Sequence, residues 1–149
     1  MQRFQFSPER TLAVRRLQRE QERAALLKCH AERAAIARQE QAIRAERQSV
    51  EEAIARSLTI DASQVGTLAG WQARVRAALT HIAGMIRQAD ERIAQQQARL
   101  QEAERRVKLL ERLRERRLAA WQTEADRERE ALAAEAYLAR LIRERRSHL

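Results

Sequence analysis

Glycine and proline are nearly missing from this chain, with three of the first and one of the second in 149 residues. Tight turns and sheet edges draw on those residues, so a sheet-rich or loop-rich fold is excluded. Aromatic residues make up only 3%, and much of the 44% hydrophobic fraction is alanine, which favours helix but buries little area. A compact core of the usual size for this length cannot be assembled from such side chains. Long helices packed side by side are expected instead. The single cysteine, Cys29, leaves no intrachain disulfide. No apolar run is long enough to cross a bilayer, and the opening MQRFQFSPER lacks the hydrophobic stretch of a signal peptide. A soluble, cytoplasmic protein is expected.

What is abundant is charge. Charged residues make up 34% of the chain, and 28 arginines and two lysines against 21 acids leave a net charge of +9. The excess sits at the ends: residues 1–60 hold 12 bases and eight acids, residues 105–149 hold 13 and eight, and residues 61–104 hold five of each. Nucleic acid, anionic lipid and acidic protein all attract such a chain. Bases interleaved with acids are nevertheless more often the solvated surface of a coiled coil than a nucleic-acid site.

Two helices are predicted. The first starts at SPER, with Ser7 placed to cap and Pro8 at the first helical position, where no N–H donor is needed. It spans about residues 8–57. A hinge at 58–61 follows, and a second helix covers about residues 62–146. Asp61 and Gln64 have capping-box spacing there, with Ile60 and Val65 placed as a hydrophobic staple.

The second helix carries a seam at alternating spacings of four and three: Val75, Leu79, Ile82, Ile86, Ala89, Ile93, Gln96, Leu100, Ala103, Val107 and Leu110. The next position is Arg114. The apolar stripe resumes at Leu118, Trp121, Ala125 and Leu132, as after a four-residue stutter. The first helix has a sparser stripe of Leu12, Leu26, Cys29, Ile36, Ile43, Val50 and Ile54. Folding the chain at the hinge sets Ile54 opposite Val65, Val50 opposite Leu68, Ile43 opposite Val75, Ile36 opposite Ile82, Leu26 opposite Ile93 and Leu12 opposite Val107. The residue numbers in every pair add to 118 or 119. Two stripes and one hinge, each read separately, therefore agree on an all-α fold: an antiparallel coiled-coil hairpin whose second helix is the longer. The first helix ends opposite residue 112, so residues 113–146, about 50 Å of helix at 1.5 Å per residue, are expected to overhang without an intrachain partner. Leu118, Trp121, Leu132, Tyr137, Leu138, Leu141 and Ile142 on that overhang read as a surface for another chain.

Enzymatic chemistry has no foothold. There is no glycine-rich phosphate loop, no nucleophile elbow and no ligand cluster at metal spacing; His30, His81 and His148 are far apart. No catalytic residue, metal or cofactor is expected. Cys29 reads as a small seam residue, and Trp71 and Trp121 as packing residues beside an apolar stripe. Arg105, Lys108, Arg112 and Arg116 recur every three or four residues as one outward basic stripe. Glu104 and Glu102 are spaced to pair with Lys108 and Arg106, and Glu111 and Glu115 flank the stripe. Local neutralisation of this kind argues against DNA binding, where acids on the contact face repel phosphate.

The N-terminal FQFSPERTLAVRRLQREQE, the hinge near residue 60 and the basic RRVKLLERLRERR together resemble the FliJ family of the bacterial flagellar export apparatus, and more distantly the YscO-type stalk proteins of non-flagellar type III secretion systems. The resemblance runs over essentially the whole chain. It implies a cytoplasmic antiparallel coiled coil, peripheral to a membrane-embedded export apparatus and similar to the central stalk of rotary ATPases. Such a stalk sits in the pore of a hexameric export ATPase, promotes ring assembly, contacts the export-gate membrane protein and, in some members, escorts export chaperones. By analogy the ring-facing residues are Arg105, Lys108, Arg112, Arg116 and Trp121. The gate-facing residues are Leu68, Trp71, Val75, Leu79, Ile82 and Ile86, four of which also lie on the hairpin seam. A salt-sensitive nucleic-acid binder and a coiled coil that self-associates through its overhangs remain the competing expectations.

Overall fold

The computed structural model describes residues 2–57 and 59–148. Two long helices pack against each other as a hairpin: α1 spans Glu9–Arg56 and α2 spans Ala62–Ser147. Both ends of α1 and the start of α2 lie within one residue of the sequence expectation. The hinge residues Thr59 to Asp61 are described, whereas Leu58, also placed in the hinge, lies outside the described residues.

The start of α1 is capped differently from the expectation. The Glu9 N–H donates to the Phe6 carbonyl at 3.0 Å, and the Leu12 N–H donates to the Pro8 carbonyl at 2.9 Å. Pro8 thus opens the helix with its carbonyl, and backbone supplies what Ser7 was expected to supply. At the start of α2 the expected box is present in its reaching-back half: Gln64 Oε1 accepts from the Asp61 N–H at 3.0 Å, and the Asp61 carbonyl takes the first helical bond from Val65 at 3.1 Å. The staple does not close, since Ile60 and Val65 stay about half exposed.

The chain divides into two compact units. The first combines Met1–Leu17 with Glu104–Leu149. Its core is Phe6, Leu12 and Val107, with Phe4, Leu110 and Leu113 packed on it. Leu12 and Val107 are fully buried, as the register requires. Arg16 pairs with Glu111 and Arg114 with Glu9, each at 3.1 Å. The charged residue at the stutter is therefore half-buried and held by α1 instead of breaking the packing.

The second unit, Gln18–Ala103, has its core at Ile36, Ile82 and Ala89, against Ile43, Met85 and Ile86. Ile36 meets Ile82 as expected. Arg33 pairs with Asp90 at 2.6 Å. Buried Gln96 occupies a seam position, where its Nε2 donates to the Glu22 carbonyl at 3.1 Å and also to the Glu22 carboxylate. A buried amide satisfied by one specific partner penalises any slip of register, because a shift strands its donors.

Towards the hinge this seam opens. Val65, expected opposite Ile54, stays about half exposed, and Val50 and Leu68 are each only half-buried. A cleft of about 630 Å³ lies between the helices, lined by Val50, Ile54, Ile60, Leu68, Trp71 and Arg74 among others. Ala53, Ser57, Ser63 and Thr67 share that lining. They are too small or too polar to supply the apolar area that zips the rest of the seam.

Candidate partner-binding surfaces

The four-residue basic stripe lies on the outer face of α2, in the first unit. Arg105, Lys108, Arg112 and Arg116 are all exposed. None of them makes an ion pair or side-chain hydrogen bond among the described residues. Neutralisation by neighbours, expected from spacing, does not reach these four side chains, whereas Glu102, Glu104 and Arg106 beside them do have partners. Glu111 turns to Arg16 of α1 at 3.1 Å, and the Glu104–Lys108 pair is not formed. Helical spacing brought those acids near the stripe, but a base on the opposing helix competes for Glu111 and wins it. The result is a bare run of four cations over 12 residues, about 16 Å at 1.5 Å per residue, beside Leu109, itself 55% exposed.

Trp121, grouped with the stripe by resemblance, sits in a different setting. Its ring lies 5.9 Å from that of Phe4 in a tilted pair, and its Nε1–H donates to the Gln2 carbonyl at 3.2 Å. Next to it the Arg117 guanidinium lies 5.5 Å from the centre of the Phe6 ring. The N-terminal residues ahead of α1 therefore continue the pairing along α2, and Ala125, 5% exposed, is the last buried side chain there. The overhang expected to begin at residue 113 begins instead near residue 126. In the sequence Phe4 and Phe6 stand only in the opening that carries the family resemblance, and helical periodicity assigns them no packing role. The usable signal was their spacing of two, which puts both rings on one side of an extended segment.

An aromatic pair of this kind contributes roughly 0.5–1.5 kcal/mol. In a Trp71→Phe background, where Trp121 is the only indole, Phe4→Ala is expected to red-shift the emission and raise acrylamide quenching. An unchanged spectrum would mean that the N-terminal segment does not cover Trp121 in solution.

The gate-facing candidates divide by accessibility. Leu68 and Trp71 line the hinge cleft and are half-buried. Val75 lines a smaller cleft of about 130 Å³ with Trp71, Arg47 and Glu51. Leu79 and Ile86 are half-buried, and Ile82, at 6% exposure, is enclosed by the core of the second unit. A partner reaches Leu68 and Trp71 directly. It reaches Ile82 only if the two helices part, which would cost about the 2–3 kcal/mol gained by burying such a side chain.

Among the described residues, no group of three or more His, Cys, Asp or Glu side chains is placed to hold a metal ion. Cys29 is a half-buried free thiol on the seam. Among the described residues no helix is long and apolar enough to cross a membrane. No protein family, curated protein or solved structure matches this chain.

Proposed function

We propose that this protein is a non-enzymatic stalk of a bacterial type III export apparatus, flagellar in the first instance and an injectisome in the second. It is cytoplasmic and peripheral to the membrane-embedded machine. It favours assembly of the hexameric export ATPase, links that ring to the export-gate membrane protein and escorts export chaperones. The reading rests on the sequence resemblance. One structural observation supports it most directly: an uncovered stripe of four cations on the longer helix, suited to acidic loops lining a ring.

The physical mechanism is mass action. A stalk that binds the assembled ring more tightly than separate subunits shifts the equilibrium toward the ring. Turnover then rises wherever catalytic sites lie between subunits. The hinge cleft with Leu68 and Trp71 supplies an apolar surface for the gate, well separated in sequence from the stripe.

The test is steady-state ATP hydrolysis by the export ATPase of the same organism, titrated with the full chain and with a variant carrying glutamine at all four stripe positions. Severalfold stimulation by the full chain, weakened in the variant, is the expected result. No stimulation by the full chain, with the ATPase itself active, would remove the stalk reading. The bare stripe also supports a second reading, sequence-independent binding of nucleic acid. Four phosphate contacts would make its affinity fall with salt at a log–log slope of roughly −3.6.

A further inference from the structure

The last third of α2 carries a feature that the basic stripe does not explain. From Asp126 to His148 every described side chain is exposed except half-buried Leu141. Leu132, Tyr137, Leu138 and Ile142 are 64%, 63%, 57% and 54% exposed. At 3.6 residues per turn, Ala131, Ala134, Leu138 and Leu141 form one seam at alternating spacings of three and four. The positions on one side of it are Glu128, Glu135 and Ile142, and on the other Glu130, Tyr137 and Glu144. Four carboxylates thus border the seam. None of the four carboxylates makes an ion pair or hydrogen bond among the described residues. Arg129, Arg140 and Arg143 lie on the opposite face of the helix.

We infer that this seam is a docking face for a helix of another protein that carries an apolar stripe bordered by lysine or arginine. Charge complementarity selects that occupant. In a parallel pair with a second copy of this chain, Glu130 would face the partner's Glu135. In the antiparallel pair that aligns the two seams, Glu135 would face its own equivalent, Glu130 the partner's Glu144, and Arg127 the partner's Arg145. Glu130 and Glu135 thus meet a carboxylate in both orientations, so a second copy is repelled. A helix with basic flanks turns each of the glutamate contacts into an attraction. The inference is independent of the proposed export role, since it rests on the pattern from residue 127 to 145 alone.

The molecule's own charge makes the test sharp. A protein of net charge +9 attracts an acidic peptide and repels a basic one unless a local acidic seam reverses the order. The probes are two fluorescein-labelled 21-residue peptides of three heptads with leucine at both seam positions. One carries lysine at both flanking positions and the other glutamate, and like charges keep each peptide from pairing with itself. Titrated with the full chain, the lysine peptide is expected to bind at least tenfold more tightly than the glutamate peptide. The double variant Leu138→Asp, Ile142→Asp, which alters only exposed side chains, is expected to lose at least tenfold in affinity for the lysine peptide with an unchanged thermal melt. Equal or tighter binding of the glutamate peptide overturns the inference, as does lysine-peptide binding that survives the double variant. Sedimentation velocity supplies a third outcome: a dimer abolished by the double variant would make a second copy the occupant and overturn it as well.

Discussion

Replacing Val107 by aspartate is expected to release α1 from α2 throughout the first unit. Val107 and Leu12 are the two largest fully buried side chains among the described residues, and they meet in one small core with Phe6. An aspartate there is either ionised without a buried partner, at a cost of several kcal/mol, or drawn out to water with the core abandoned. So few buried residues cannot absorb that loss. The melting midpoint should fall sharply, and amide protection over residues 9–17 should vanish while residues 30–45 keep theirs. Leu12→Ala is the milder version and should cost about 2–5 kcal/mol, the range for deleting a leucine side chain from a packed core. If Val107→Asp left both the melt and the exchange pattern unchanged, the packing of Leu12 on Val107 would not be what holds this end together.

The second large effect concerns the bare stripe. Changing Arg105, Lys108, Arg112 and Arg116 together to glutamine should leave stability within about 0.5 kcal/mol, because the side chains are exposed and unpaired. Stimulation of the export ATPase should weaken strongly. Four exposed ion pairs at about 0.5 kcal/mol each amount to about 2 kcal/mol, a roughly thirtyfold rise in the concentration for half-maximal stimulation. The wild-type requirement should itself rise with salt, since exposed charges are screened beyond about 8 Å at physiological ionic strength. Stimulation that is indifferent to all four substitutions would move the ring contact away from the stripe.

These two effects differ in origin, and the difference marks how far the sequence could be read. Leu12 opposite Val107 and Ile36 opposite Ile82 were legible because apolar spacing of three and four leaves one face to bury, and because both stripes were referred to one hinge. The near absence of glycine and proline made two uninterrupted helices the only economical reading. Asp61 and Gln64 were legible as the start of α2 because a cap is a local bond over three residues.

Which charges remain free was not legible. Glu111 lies near the basic stripe by helical spacing, yet the fold gives it to Arg16, 95 residues away. Only the packing of α1 on α2 decides between those two bases. The same holds for the open hinge cleft, where the apolar pattern continues but the side chains around it are too small to close it. It holds again for Phe4 on Trp121, a contact between an extended segment and a helix that no single period predicts. The sequence by itself determined the helices, the cap of α2 and the register away from the hinge, since those depend on near neighbours and on one repeating period. Tertiary structure alone decided where the seam ends, which tryptophan is covered and which cations and carboxylates stay available to a partner, because each is a competition between groups distant in the chain.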